Sequence, residues 1–222
     1  SDFSGIGAFD EACKRVFGEE NIENVFACDM DKYARQSYLS NHKEPGYFPT
    51  DVYKREIPSE SLDIYMTSPP CQGFSIAGKR GGSILFFNSH EFIQVNKPRF
   101  FIFENVKGLL SHEKNKNNKS QEFGATFSNW LRFLGGKSVN GAPTIFADEN
   151  AVPYHVYWTV LNSKEHGVPQ NRERVFIVGI RDDLDNNFSW PQTEPLNLRL
   201  KDILENDVDR KYFLSEKMVD YL

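Results

Sequence analysis

The chain has 222 residues and a mass of 25.6 kDa, with 39% hydrophobic, 26% charged and 14% aromatic residues; this is one globular domain, or one with an appendage, and it excludes wholesale disorder and a collagen-like chain. Lys and Arg number 26 against 31 Asp and Glu, so the net charge is −5 and the pI near 5.6, which excludes nucleic-acid binding by bulk charge and confines any DNA contact to a local basic patch. Three cysteines without CxxC spacing argue against a disulfide framework or a zinc site and fit a reducing cytoplasm, and neither a signal peptide nor an apolar run of membrane-spanning length is visible.

In chain order, apolar strands alternate with amphipathic helices. Strands are predicted at 22–28, 62–66, 99–103, 155–161 and 174–180, and helices at 8–17, 31–41, 84–95 and 123–134. This alternation predicts an α/β fold, a doubly wound sheet that is mostly parallel, with ligands held beyond the carboxyl ends of its strands. Residues 113–121 (EKNKNNKSQ) read as a solvated loop. After Ile180 the texture turns polar, with Pro191 and Pro195, and short helices are predicted at 198–204 and 215–222, the second capped by Ser215.

Five segments carry candidate chemistry. Phe3-Ser4-Gly5-Ile6-Gly7 opens the first helix; two glycines one residue apart permit a tight turn and close backbone approach to a ligand, although an ordinary turn has the same pattern. Asp29 follows the predicted strand 22–28, and an acid at the end of the second strand of such folds holds a nucleoside ribose; Asp51-Val52 comes later, and singly each Asp also fits a turn or a helix cap. Ser68-Pro69-Pro70-Cys71-Gln72-Gly73-Phe74-Ser75 places a cysteine in a proline-stiffened loop after a strand, a setting for a nucleophile once its thiolate is favoured. Glu104-Asn105 closes a very apolar strand, where desolvation raises a carboxyl pKa toward neutrality. Gln170-Asn171-Arg172-Glu173-Arg174 offers two guanidinium groups at i, i+2, on one side of an extended chain and suited to phosphate or a base carbonyl. No metal-ligating cluster stands out.

In this order the five segments resemble the cytosine-5 DNA methyltransferase family of bacterial and phage type. Pro-Pro-Cys-Gln-Gly-Phe-Ser, then Glu-Asn-Val with Glu104 33 residues after Cys71, then Gln-x-Arg-x-Arg, is a specific combination, and the likeness runs from Phe3 to about Ile180. The resemblance implies a Rossmann-like catalytic domain over 1–180 that binds S-adenosyl-L-methionine, with 181–222 leading toward a target-recognition region. Phe3, Gly5 and Gly7 would form the cofactor turn. Asp29, standing where the family usually has Glu, would hold the ribose; Met30 would flank the adenine, Asp51 and Val52 would read its edge, and Pro70 would line the pocket. Cys71 would be the nucleophile. Glu104 would contact N3 and N4 of cytosine, and Asn105 would hold the proline–cysteine loop. Ser75 and Gln170 would shape the substrate site, Arg172 would contact phosphate and Arg174 the cytosine O2. The expected partners are double-stranded DNA and a cognate restriction endonuclease, and the expected protein is a cytoplasmic, nucleoid-associated monomer. Lys79, Arg80, Lys107, Arg172 and Arg174 are the expected members of the DNA face.

The chain also departs from the family. Asp2 stands in a slot the family fills with an apolar residue, and most of the first strand is absent. The stretch 77–82 after the nucleophile is short. The recognition region and the C-terminal Gly-Asn motif are expected outside this sequence or on another chain. Two alternatives stay open: a tRNA cytosine-5 methyltransferase, whose sequence after the nucleophile usually differs from Gln-Gly-Phe-Ser, and a non-catalytic cofactor- or DNA-binding module.

Overall fold

The computed structural model describes residues 1–70, 81–115 and 121–221, apart from the side chains of 81–84. By internal packing the chain divides into two units. The first comprises Ser1–Leu161 and Glu173–Trp190; the second comprises Asn162–Arg172 and Pro191–Leu222.

The first unit contains, in chain order, helices α1 (Ala8–Phe17) and α2 (Lys32–Asn41), strand β1 (Ile64–Thr67), helix α3 (Gly81–Asn96), strand β2 (Phe100–Val106), helix α4 (Ala125–Leu134), and strands β3 (Ser138–Val139), β4 (Ala142–Pro143), β5 (Tyr154–Asn162, its last residue counted with the second unit) and β6 (Glu173–Arg181). The sheet order is β1-β2-β6-β5-β3-β4. β1 runs parallel to β2, with Thr67 opposite Phe103, and β3 runs parallel to β5. Single parallel bridges extend the sheet beyond β1, from Thr67 to Asp2, Asp2 to Cys28, and Phe26 to Tyr47. β6 is reversed against β2, and β4 against β3. The predicted α/β class with a mostly parallel sheet therefore holds.

Local chemistry accounts for the elements. α1 carries Asp10 and Glu11 in its first turn and Lys14 and Arg15 in its last, the order its dipole favours. Asp31 caps α2, its side chain accepting from the Tyr33 and Ala34 N–H groups. β2 alternates strictly, with Phe101, Phe103 and Asn105 buried and Phe100, Ile102, Glu104 and Val106 half-buried. On the buried face Phe86 of α3 stacks on Trp130 of α4 at 4.4 Å between ring centroids, and Phe103 lies 5.7 Å from Trp130. Tyr154 closes the layer against Phe101.

Four segments differ from the sequence expectation. Residues 22–28 form no ladder. Phe26 and Cys28 make single bridges only, because their partners are isolated positions, Tyr47 on one side and Asp2 on the other. The β3–β4 hairpin was not anticipated; it turns at Asn140-Gly141, both at positive φ (46° and 80°). In the second unit, 198–204 yields only a 3-10 turn at Leu200–Asp202. The last helix, α5, is confined to Glu216–Val219, and Ser215 sits at its N-cap without a side-chain bond.

The second unit also has 3-10 turns at Ser163–Glu165 and Arg210–Tyr212. Asn162 organises its first strand of chain: its Oδ1 accepts from the Arg172 N–H at 3.1 Å and the Lys164 N–H at 3.3 Å, while its Nδ2 donates to Asn171. Residues 113–115 are exposed, as expected of a solvated loop, and 116–120 lie outside the described residues. Among the described residues no helix is long and apolar enough to cross a membrane.

One core residue makes stability pH-dependent. His90 of α3 is buried against Phe86, Phe87 and Phe133, and among the described residues its Nε2 has no hydrogen-bond partner. Burial lowers its pKa below the ordinary 6.5, opposed by backbone hydrogen bonds with Asn150 and Phe133 and by the Asp148 charge. The unfolded chain therefore takes up this proton first, so the stability from a neutral His90 is complete above about pH 6.5 and is lost as pH falls toward the folded-state value. Urea midpoints measured from pH 7 to pH 5 should fall less steeply for His90→Leu than for the unaltered protein, by up to about 1.4 kcal/mol per pH unit. Parallel curves would show that His90 does not titrate across unfolding.

Candidate active site

The parallel strands of the first unit end at one edge of the sheet. Asp2 leads into the Phe3–Gly7 turn, Cys28 into Asp29, Thr67 into Ser68–Pro70, and β2 ends at Glu104–Val106. Reversed β6 begins at the same edge, so Arg174 faces the end of β2, opposite Val106.

The glycine turn is built on left-handed backbone. Phe3, Gly5 and Gly7 have φ of 56°, 55° and 93°. A Cβ on Gly7 would meet the His42 ring, whereas one on Gly5 would meet nothing within 4 Å among the described residues. The Gly5 N–H donates to Asp29 Oδ2 at 2.8 Å, and the Asp31 N–H donates to Asp29 Oδ1 at 2.9 Å. The Asp29 N–H in turn reaches the Pro49 carbonyl at 3.3 Å, two residues before Asp51. Gly5 and Asp29 are thus bonded into one cradle, and the Gly7 N–H closes the turn on the Ser4 carbonyl at 3.0 Å. Met30 beside it is 85% exposed, and Val52 is buried. Asp51 accepts from the Tyr53 N–H and has Lys54 at 3.7 Å.

The segment ahead of the candidate nucleophile is held from two sides. Ser68 Oγ donates to the Phe3 carbonyl at 3.1 Å. Buried Asn105 donates from Nδ2 to the Pro69 carbonyl at 2.8 Å and accepts at Oδ1 from the Val106 N–H. Pro70 is exposed, and Cys71 and Ser75 lie outside the described residues, as do Lys79 and Arg80. The other two cysteines are poor thiolates. Burial, followed by the charge of Asp2, pushes the Cys28 thiol up to about 12, and burial also raises that of Cys13.

Glu104 and Arg174 form the polar centre of this edge. They lie diagonally across the β2–β6 ladder, since Glu104 is opposite Phe176 and Arg174 opposite Val106, so both project from the same face. Arg174 Nε is 3.0 Å from Glu104 Oε1, with both side chains about one-fifth exposed (21% and 20%). Arg174 Nη1 also donates to the Glu173 carbonyl. Next to them Lys107 pairs with Glu173 at 2.7 Å. Two expected members of a DNA face, Lys107 and Arg174, are therefore ion-paired here. Gln170 and Arg172 belong to the second unit, where both are exposed.

Sequence reasoning missed two contributors. Ser68 was read only as part of the proline motif. Asp2 was read as a misfit in an apolar slot, yet it is fully buried, with Arg55 and Tyr65 as its partners.

The fold is that of known methyltransferases. Residues of this chain superpose on the Schizosaccharomyces pombe Dnmt2 methyltransferase with a TM-score of 0.63 at 20% identity, covering 99% of this chain and 63% of that one. A DNMT2 variant from Spodoptera frugiperda gives 0.64 at 23% identity, over 98% and 62%. The family model for C-5 cytosine-specific DNA methylase matches residues 2–221, and the chain belongs to that family. It is 36% identical to the type II methyltransferase M.HpaII of Haemophilus parainfluenzae, over 99% of this chain and 56% of that protein. It is 32% identical to the orphan methyltransferase M.Rho11sI of Bacillus phage rho11s, over 99% and 46%. The chain spans about half the length of these curated relatives.

Proposed function

We propose that the protein methylates C5 of a flipped cytosine in duplex DNA, using S-adenosyl-L-methionine and a covalent Cys71–C6 adduct, as the modification partner of a restriction endonuclease. The observation that carries this reading is the Glu104–Arg174 pair beside the Asn105–Pro69 bond. It sets a carboxyl group and a guanidinium at the same sheet edge as the segment that leads to Cys71.

The cradle fits the cofactor. An ionised carboxylate has about four acceptor sites, and Asp29 uses one on each oxygen for backbone N–H groups, so both oxygens keep capacity for ribose hydroxyls. The open space at Gly5 leaves room for a ligand against the turn, and exposed Met30 is available to an adenine face. S-adenosylmethionine, when bound, supplies an electrophilic methyl group on a sulfonium.

The remaining chemistry is that of the side chains. Cytosine C5 is a poor nucleophile. Addition of the Cys71 thiolate at C6 would form the S–C6 bond and move the ring electrons toward C5, making that carbon a nucleophile for the methyl group, whose bond to the sulfonium would break with S-adenosylhomocysteine as the leaving group. Glu104 holds a proton at the N3 edge as charge develops there, and Arg174 stabilises charge at O2. Loss of the C5 proton to a base expels the thiolate and restores the aromatic ring. Because C6 is shielded in a duplex, the base must leave the stack. The restriction role draws its support from the names of relatives that are type II methyltransferases; the orphan phage enzyme lends it none.

The test gives radiolabelled S-adenosylmethionine to the full-length protein with mixed-sequence duplex DNA and, in parallel, tRNA. Label on cytosine C5 of DNA alone is the expected result. Label in tRNA alone moves the assignment to the RNA branch. Cofactor binding without transfer to either leaves a binding module.

A further inference from the structure

Beneath the cofactor turn lies a charged cluster sealed from solvent. Asp2, Arg55 and Tyr65 are distant in sequence, and their side chains are almost wholly buried, with Asp2 and Arg55 at 0% and 3% exposure. Arg55 Nε is 2.8 Å from Asp2 Oδ1, and its Nη2 is 2.7 Å from Oδ2. The Tyr65 hydroxyl donates to Asp2 Oδ2. Arg55 Nη2 also reaches the Asn88 carbonyl at 3.2 Å, and the guanidinium lies 4.7 Å from the Phe92 ring centroid. Phe92 stacks on Tyr65 at 4.1 Å with 14° between the planes.

The chain positions give the cluster its meaning. Asp2 immediately precedes Phe3 of the cofactor turn, and Arg55 follows Asp51 by one turn of chain. Tyr65 is on β1, which runs into Ser68–Pro70. Asn88 and Phe92 are on α3, the helix that follows residues 71–80. One ionic junction therefore ties two cofactor-side segments to the two elements that bracket the nucleophile segment. Stability alone is a weak reason for it, because a buried ion pair is often no better than well-packed apolar residues of similar volume. What the bidentate fork adds is a fixed distance and angle, where apolar packing permits slip.

We infer that Arg55, with Asp2 and Tyr65, is a positioning residue that holds Ser68–Pro70, the approach to the nucleophile, in register with the cofactor turn. The inference rests on the methyl-transfer reading above. Burial holds the Tyr65 hydroxyl well above its ordinary pKa and so keeps it a donor, and the carboxylate of Asp2 helps hold Arg55 charged.

The test compares the full-length protein with the double variant Asp2→Leu/Arg55→Met, which removes both charges, and with Tyr65→Phe, which keeps the stacked ring. Three quantities are read: the thermal transition, the S-adenosylhomocysteine Kd by calorimetry, and the single-turnover methyl-transfer rate on duplex DNA. The double variant should keep a cooperative transition and a Kd within about threefold, while its rate falls about tenfold or more, as a small misplacement of reacting groups does. Tyr65→Phe should lose about threefold in rate. Rates within twofold of the unaltered protein overturn the inference, as does an effect confined to Kd. If the double variant does not fold, Tyr65→Phe decides: an unchanged rate overturns the inference. An unaltered protein that binds S-adenosylhomocysteine but transfers no methyl refutes the functional reading itself, and the inference with it.

Discussion

Cys71→Ser should reduce methyl transfer to duplex DNA by about 10⁴-fold or more, with S-adenosylhomocysteine affinity unchanged within about twofold. The serine hydroxyl is close in size to the thiol but stays protonated near neutral pH. It cannot add to C6 at a useful rate, so C5 is never activated. The other cysteines offer no rescue, because burial holds the Cys28 thiol up at about 12 and raises that of Cys13. The cradle of Gly5 and Asp29 is bonded through its own backbone N–H groups. A duplex containing 5-fluorocytosine provides the second readout, since it should trap a covalent complex with the unaltered protein and none with the variant. A serine variant within tenfold of the unaltered rate removes the covalent step from the mechanism.

Glu104→Gln should lower kcat by about 10²–10³-fold, within the range typical of losing a positioned proton donor. The amide keeps an oxygen that can accept from Arg174 Nε, now 3.0 Å from the carboxylate, but it cannot take up or release a proton at N3. The ion pair is about one-fifth exposed, and screening limits its worth. The urea midpoint should therefore move little, by the equivalent of about 1 kcal/mol or less. Loss of activity with an unmoved midpoint assigns Glu104 to the chemistry. A parallel loss of both would make it a strut for Arg174 instead.

Much of the fold was legible because its signals are local. α1 begins and ends where the sequence marked it, at Ala8 and Phe17, with charges ordered along its dipole and Gly18 stopping it. β2 and β6 announced themselves as apolar runs at 99–103 and 174–180, each a residue or more short of its observed end. The Asn105 role came only from the family resemblance; the bond the structure gives it is from Nδ2 to the Pro69 carbonyl. What escaped depended on partners far along the chain. The ladder expected at 22–28 failed because its neighbours offer only single residues. Asp2 looked out of place until Arg55, 53 positions later, supplied its counter-charge. The β3–β4 hairpin is a different case. Its strands are two residues each, too short for periodicity to register, although Asn140-Gly141 is a strong hairpin signal in its own right.

The reversal of β6 bears on the order of events during synthesis. β2, with the sequence FFIFENV, pairs with β1 on one side and with β6 on the other. β1 is already made when β2 leaves the ribosome, but Glu173 follows only after α4, the hairpin and β5. At roughly 5–20 residues per second, a strongly apolar strand carries an unpaired edge for several seconds. Such an edge invites pairing with other nascent chains. Slower initiation or lower growth temperature, by thinning those neighbours, would then raise soluble yield without altering a single contact of the finished molecule.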